Sequence, residues 1–135
     1  MISLKEAEKF HGHLGPWLVL GLLIGDAALK KLKAEKYFGL EAEVRGVNKK
    51  PRSCLVDGLQ ISSGCTYGKG NIRKIAGDKI RVVLRNLENN KKISVSLKKD
   101  LLARLNALNG HRDSLIFARA LLKADPDTLF EVRFS

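Results

Sequence analysis

The sequence predicts an α+β fold: a single domain over residues 1–135 with a mainly antiparallel sheet packed against helices. Three observations carry this expectation. A helix-length apolar run opens at Pro16 and reaches about Lys33. Two segments, Lys79 to Leu87 and Lys92 to Leu97, alternate at period two around the turn-like Glu88-Asn89-Asn90-Lys91, the pattern of a β-hairpin. A last alternating segment, Leu129 to Phe134, follows two further helical patterns. Strands grouped beside helices in this order point to segregated layers.

In chain order, Ser3 and Glu6 form a capping box for a short helix from Leu4 to about Phe10. His11-Gly12-His13-Leu14-Gly15-Pro16 breaks it, and Pro16 suits the first turn of the next helix, where its missing N–H costs nothing. That helix is apolar nearly all round from Trp17 to Ile24, so its first half belongs in the core. Gly21 and Gly25 lie four apart on one face and allow another backbone to approach. Glu41 to Val47 reads as a strand. Ser53 is expected to cap a third helix from Cys54 to about Ser62, stopped by Gly64. Leu97, Leu101, Leu105 and Leu108 repeat at helical spacing up to Gly110, and Asp113 or Ser114 caps a last helix through Lys123.

The start, Met1-Ile2-Ser3-Leu4-Lys5-Glu6, lacks a signal-peptide layout, which predicts a cytoplasmic protein. The longest apolar stretch, Leu14 to Ile24, is too short for a bilayer, which needs roughly 20 residues. The formal net charge is +11. Its lysines and arginines are dispersed and the chain has only eight aromatic residues, so a solvated, repulsive surface is expected rather than a nucleic-acid stripe. A Lys-rich surface also suits a thermophile. The two cysteines, Cys54 and Cys65, belong to no CxxC pair. In a cytoplasmic chain they leave packing, metal binding or thiol chemistry.

His11 and His13 are two residues apart, which puts both imidazoles on one side of an extended segment. Cys54 and Cys65 flank the third helix, roughly 13 Å apart at 1.5 Å per residue, and meet only if the glycine loop after Gly64 folds back. Cys54 sits in a first helical turn, where the macrodipole favours a thiolate. Two imidazoles and two thiolates would make a four-ligand site for zinc or another transition metal. Either cysteine is also a candidate nucleophile with a histidine as base. Gly64-Cys65-Thr66-Tyr67-Gly68-Lys69-Gly70-Asn71 lacks the spacing and the Ser/Thr of a P-loop. As a backbone nest it could take a small anion, with Lys69 and Asn71 as candidates.

The strings His11-Gly12-His13-Leu14-Gly15-Pro16 and Cys54 to Asn71 together resemble the core domain of the FmdE family, the E-subunit family of formylmethanofuran dehydrogenase. That family has an HGHxCP-like opening, an apolar helix with spaced glycines, and a Cys…Asp…Gln segment leading into a GCTxGKGN loop. The resemblance implies an α+β homodimer with a metal or thiol site. It carries roles over to His11, His13, Cys54 and Cys65, and to Asp57, Gln60, Thr66, Lys69 and Asn71 as cofactor- or ligand-binding residues. Two departures stand out. Gly15 occupies the position where many relatives have a cysteine, which puts the family's chemistry in doubt. The cysteine-rich zinc module many relatives append at the C-terminus is also missing, so a core-only version is expected. Two cysteines cannot ligate a four-cysteine cluster, so any dehydrogenase role would be an accessory one.

Overall fold

A computed structural model describes residues 3–135. The first helix, α1 (Leu4–His11), starts where the Ser3 hydroxyl accepts the Glu6 N–H at 3.2 Å. The second, α2 (Pro16–Leu32), buries every residue from Pro16 to Leu22. Such all-round burial needs partners on several sides, and α2 has them: a third helix, α3 (Cys54–Ser63), a later helix, α5 (Gly110–Lys123), and the sheet. A shorter helix, α4 (Lys99–Asn106), precedes α5.

The sheet has strands β1 (Leu40–Arg45), β2 (Ile72–Ile75), β3 (Arg81–Asn86), β4 (Lys92–Leu97) and β5 (Phe130–Phe134) in the order β2-β1-β3-β4-β5. Three pairings are antiparallel; β1 and β2 run parallel, joined through α3. Parallel neighbours require such a crossover. One face carries Leu40, Ala42, Val44, Val82, Leu84, Ile93 and Val95 into the core. The other presents charge in register. Glu43 stands opposite Arg73 and bonds it at 2.8 Å, and Glu41 stands opposite Arg85 at 2.6 Å. Pairs this open to solvent each contribute roughly 0–1 kcal/mol.

Several sequence expectations shift. β2 has no signature in the sequence: its four residues include Arg73 and Lys74, and its burial does not alternate. Gly110 does not end α4 but begins α5, with a φ of +86° that suits glycine. Neither Asp113 nor Ser114 is therefore a cap; both lie inside α5. Phe134 is 62% exposed, so only the start of β5 packs in the core.

Gly21 and Gly25 do admit another backbone, and it belongs to α3. A Cβ on Gly21 would collide with the Leu55 carbonyl and lie 2.6 Å from the Leu59 nitrogen; one on Gly58 would collide with the Leu18 carbonyl. The Ser62 hydroxyl sits between the helices and donates to the Gly21 carbonyl at 3.0 Å or the Gly58 carbonyl at 2.9 Å. Contacts run from Leu18–Gly58 through Gly21–Leu59 to Gly25–Ser62, so α2 and α3 point the same way and their N-terminal ends lie together. Gly58→Ala should destabilise the protein by about 3 kcal/mol, the upper part of the overpacking range, measured by denaturant unfolding. An exposed control, Gly68→Ala, should cost far less, since nothing lies within 4 Å of its Cβ position.

Candidate metal centre

The histidine pair is set by a helix end. His11 is the last residue of α1, and Gly12, at a φ of +106°, closes the helix with its N–H donating to the Glu8 carbonyl at 2.7 Å. The chain reverses there rather than running extended, which corrects the sequence expectation while keeping its outcome. The two rings lie 4.8 Å apart between centroids at 51°. Cys54 joins them because the α2–α3 packing places the start of α3 beside the start of α2. One ligand atom each from His11, His13 and Cys54 lies within 4.8 Å of the other two.

His11 has the most telling environment. Its Nδ1 lies 2.6 Å from Asp57 Oδ2, and its side chain is 9% exposed. An ionised carboxylate only accepts, so Nδ1 carries the proton and, in the neutral ring, Nε2 is left as a bare lone pair. That Nε2 is buried and has no hydrogen-bond partner. A buried polar atom without a partner calls for a cause such as an ion. A carboxylate on the far nitrogen is how metal-bound imidazoles are commonly oriented. The residues present therefore fit a metal of the zinc type: two imidazoles and a thiol, with the tautomer already fixed.

Cys54 departs from expectation electrostatically. Ser53 makes no side-chain cap bond, because it has helical dihedrals itself. The Cys54 and Leu55 N–H groups are spent on the Pro51 and Arg52 carbonyls of the preceding turn. Burial pushes the Cys54 thiol up, and the Asp57 carboxylate adds to this, against the smaller opposing effect of Lys50. Helix-start activation of a thiolate is thus absent. Deprotonation would come from a bound cation, which outweighs these effects.

Cys65 does not join the cluster. Gly64, left-handed at a φ of +77°, ends α3 and sends the chain away from the site rather than back along the helix. Cys65 is fully buried, with its Sγ donating to the Leu40 carbonyl at 3.4 Å, a poor situation for either ligand or nucleophile. The rest of the glycine loop is also occupied internally. The Lys69 ammonium donates to the Gly64 carbonyl and the Thr66 hydroxyl. Asn71 accepts from the Thr66 N–H and donates to the Tyr37 carbonyl. Lys69 and Asn71, the anion candidates, are therefore turned onto their own loop. Gln60 links loop to site: it accepts the Tyr67 N–H at 2.9 Å and its amide lies 3.5 Å from Asp57 Oδ1.

Two features beside the cluster complete the geometry. A Cβ on Gly15 would meet only the His13 ring, 3.1 Å from Cε1, so position 15 adjoins the site. A cavity of about 240 Å³ opens there, lined by His13, Gly15 and Cys54 and by Leu105, Leu108 and His111 of the α4–α5 segment. Sequence reasoning missed this second wall. His111 is an isolated histidine with no spacing signal, and the leucines read as ordinary helix core.

The model of a family described as "FmdE, Molybdenum formylmethanofuran dehydrogenase operon" matches residues 10–131. The chain belongs to the FmdE family. A probable S-adenosyl-L-methionine-binding protein of Archaeoglobus fulgidus is 31% identical over 71 residues, 51% of this chain. That stretch is 19% of the Archaeoglobus protein, so the chain spans about a fifth of that relative's length. The crystal structure of a tungsten formylmethanofuran dehydrogenase FmdE-like protein from Syntrophus aciditrophicus superposes with a TM-score of 0.71 at 21% identity. The match covers 98% of this chain and 69% of that one, and it is a likeness of fold. Within this FmdE-family fold no helix of the described residues is long and apolar enough to cross a membrane.

Cys65 generates a pH prediction. Burial raises its thiol above the ordinary range, more than Ser63 and Lys69 lower it. The stability held by this neutral thiol is complete below the unfolded-state value and is lost as pH rises through the raised folded value. In metal-free protein, Cys65→Ala should cost about 1 kcal/mol near neutral pH. The gap to the parent should narrow above about pH 8.5, measured as denaturant midpoints against pH.

Proposed function

We propose that this FmdE-family protein binds one transition-metal ion, zinc foremost, through His11 Nε2, an imidazole nitrogen of His13 and Cys54 Sγ. The observation that carries the reading is the buried, unpartnered Nε2 of His11, whose opposite nitrogen is held by Asp57. Zinc accepts such a mixed nitrogen and sulfur set, and three protein ligands are the usual complement of a site that keeps one position open. The ion would supply Lewis acidity and hold Cys54 deprotonated. The chain's own part is to fix the His11 tautomer, to present the His13 ring, and to hold Asp57 through Gln60.

Untagged protein should carry about one metal per chain by mass spectrometry. Cys54→Ser and His11→Ala should abolish stoichiometric binding, whereas Cys65→Ala should retain it. Asp57→Asn should weaken affinity roughly 10–100-fold, the range for a lost orienting partner, read by competition with a chromophoric chelator. Metal-free wild-type protein from cells replete in zinc, cobalt and nickel would overturn the reading.

The same reading includes a homodimer. Tyr37, Phe38 and Tyr67 are 54%, 77% and 87% exposed, and the Lys69 ammonium lies 5.9 Å and 5.6 Å from the rings of Tyr37 and Phe38. Exposed aromatic groups of this kind favour association. The protein should sediment at twice its 15.0 kDa chain mass, and Phe38→Asp should shift it to monomer. A wild-type monomer at high concentration would exclude the homodimer and leave the metal site untouched.

A further inference from the structure

The cavity beside the cluster has one end made by the proposed metal ligands and the other by apolar side chains. His13, Gly15 and Cys54 form the first. Trp17, Leu105 and Leu108 dominate the second, with His111 and Ser114 near the start of α5. Gly15 leaves the space beside His13 empty of any side chain: a Cβ there would touch nothing but the His13 ring. Its backbone is ordinary extended chain, with φ −137° and ψ 163°, so glycine is not demanded by conformation. Its consequence is room.

Two imidazoles and one thiolate fill three positions of a tetrahedral set. With a divalent ion such a set retains one positive charge, in a pocket walled largely by hydrocarbon. The occupant best matched to that combination is anionic or soft at one end and apolar at the other. A carboxylate would bring a second oxygen needing a hydrogen-bond donor, and an unsatisfied acceptor is costly to bury. A thiolate has no such requirement, and soft donors suit an ion already bound by sulfur.

We propose that the cavity binds a small organic thiol, its sulfur directed to the space beside Gly15 and its apolar body packed against Trp17, Leu105 and Leu108. Binding is coordination alone: the S–H bond breaks, the proton leaves to solvent, and the sulfur lone pair becomes the fourth donor. The volume of about 240 Å³ compares with roughly 150 Å³ for an apolar cavity that takes up benzene. A one-ring thiol fits; a cofactor-sized molecule does not. The inference rests on the metal-binding reading above, and the two fail separately.

The test uses full-length protein loaded anaerobically with cobalt(II) and titrated with benzyl mercaptan. The expected result is a saturable, about twofold rise in thiolate-to-cobalt charge-transfer absorption, as one sulfur ligand becomes two, with cobalt retained on dialysis. Gly15→Cys should show the second thiolate band before any thiol is added and should respond no further. Leu108→Trp, which fills the cavity without touching a proposed ligand, should keep the one-thiolate spectrum and lose the response. If that variant does not fold, triphenylmethanethiol on the wild type replaces it and should likewise produce no change. Cobalt bound with a Cys54-dependent spectrum that ignores benzyl mercaptan would overturn the thiol site while sparing the metal site. So would a response to acetate in its place, or cobalt stripped into solution by the thiol. Absence of Cys54-dependent cobalt binding would instead overturn the metal reading itself.

Discussion

The candidate site depends on a contact between two backbones. Where α2 meets α3, Gly21 and Gly58 bring main chain against main chain, with no side chain between. At that separation the two helices have almost no freedom to slide, because every neighbouring atom is already at contact. The Ser62 hydroxyl adds a polar tie between them, using carbonyls that helical bonding leaves with a spare lone pair. Because the helices point the same way, their N-terminal ends meet. The Gly12 reversal lies just ahead of one end and Cys54 at the other. A ligand cluster assembled from residues over forty positions apart is thus held by glycines that carry no chemistry.

A second layer of order runs along α3. Cys54, Asp57 and Gln60 recur every three residues and share one face. Asp57 orients His11, the Gln60 amide approaches Asp57, and the Gln60 carbonyl receives the Tyr67 N–H. The glycine loop is the far anchor of this line. Its own polar groups are satisfied by Thr66, Lys69 and Asn71, which tie it to the Tyr37–Leu40 segment entering β1. A motif that reads in sequence like a ligand cradle therefore has a structural account: it braces the helix that presents Cys54 and Asp57. Local hydrogen bonding in such loops uses the same residue types that ligand binding would use.

That ambiguity explains what the sequence made legible. Periodicity reveals α2, the β3–β4 hairpin and β5, because each buries one face or all faces in a repeating pattern. Spacing also reveals that Gly21 and Gly25 face another backbone. β2 escapes, since four residues with two charges give period two nothing to act on. The fate of Cys65 escapes for a different reason. A left-handed glycine after a helix states that the chain turns, but not in which direction, and Gly64 turns it under β1. The histidine spacing suggests an extended path, whereas Gly12 reverses the chain. The residues that the sequence points to are mostly right in location. Their division into ligand, orienting partner and brace needs coordinates.

The loss of Cys65 from the cluster changes what the centre would be. Four protein donors close a tetrahedral ion and make it structural; three leave it accessible. Gly15 decides the same question from the other side, because it is the position from which a fourth thiolate could reach the site and it offers no side chain. The surrounding cavity would have little purpose around a closed ion, since a saturated centre needs no approach path. An open one needs that path, and the apolar surface of Leu105 and Leu108 borders it. The Gly15 difference from many relatives is thus better read as a change from an internal ligand to an external one than as simple loss. The polar scaffold around His11 is intact, and an orienting carboxylate held in place by Gln60 is hard to explain if nothing is left there to orient.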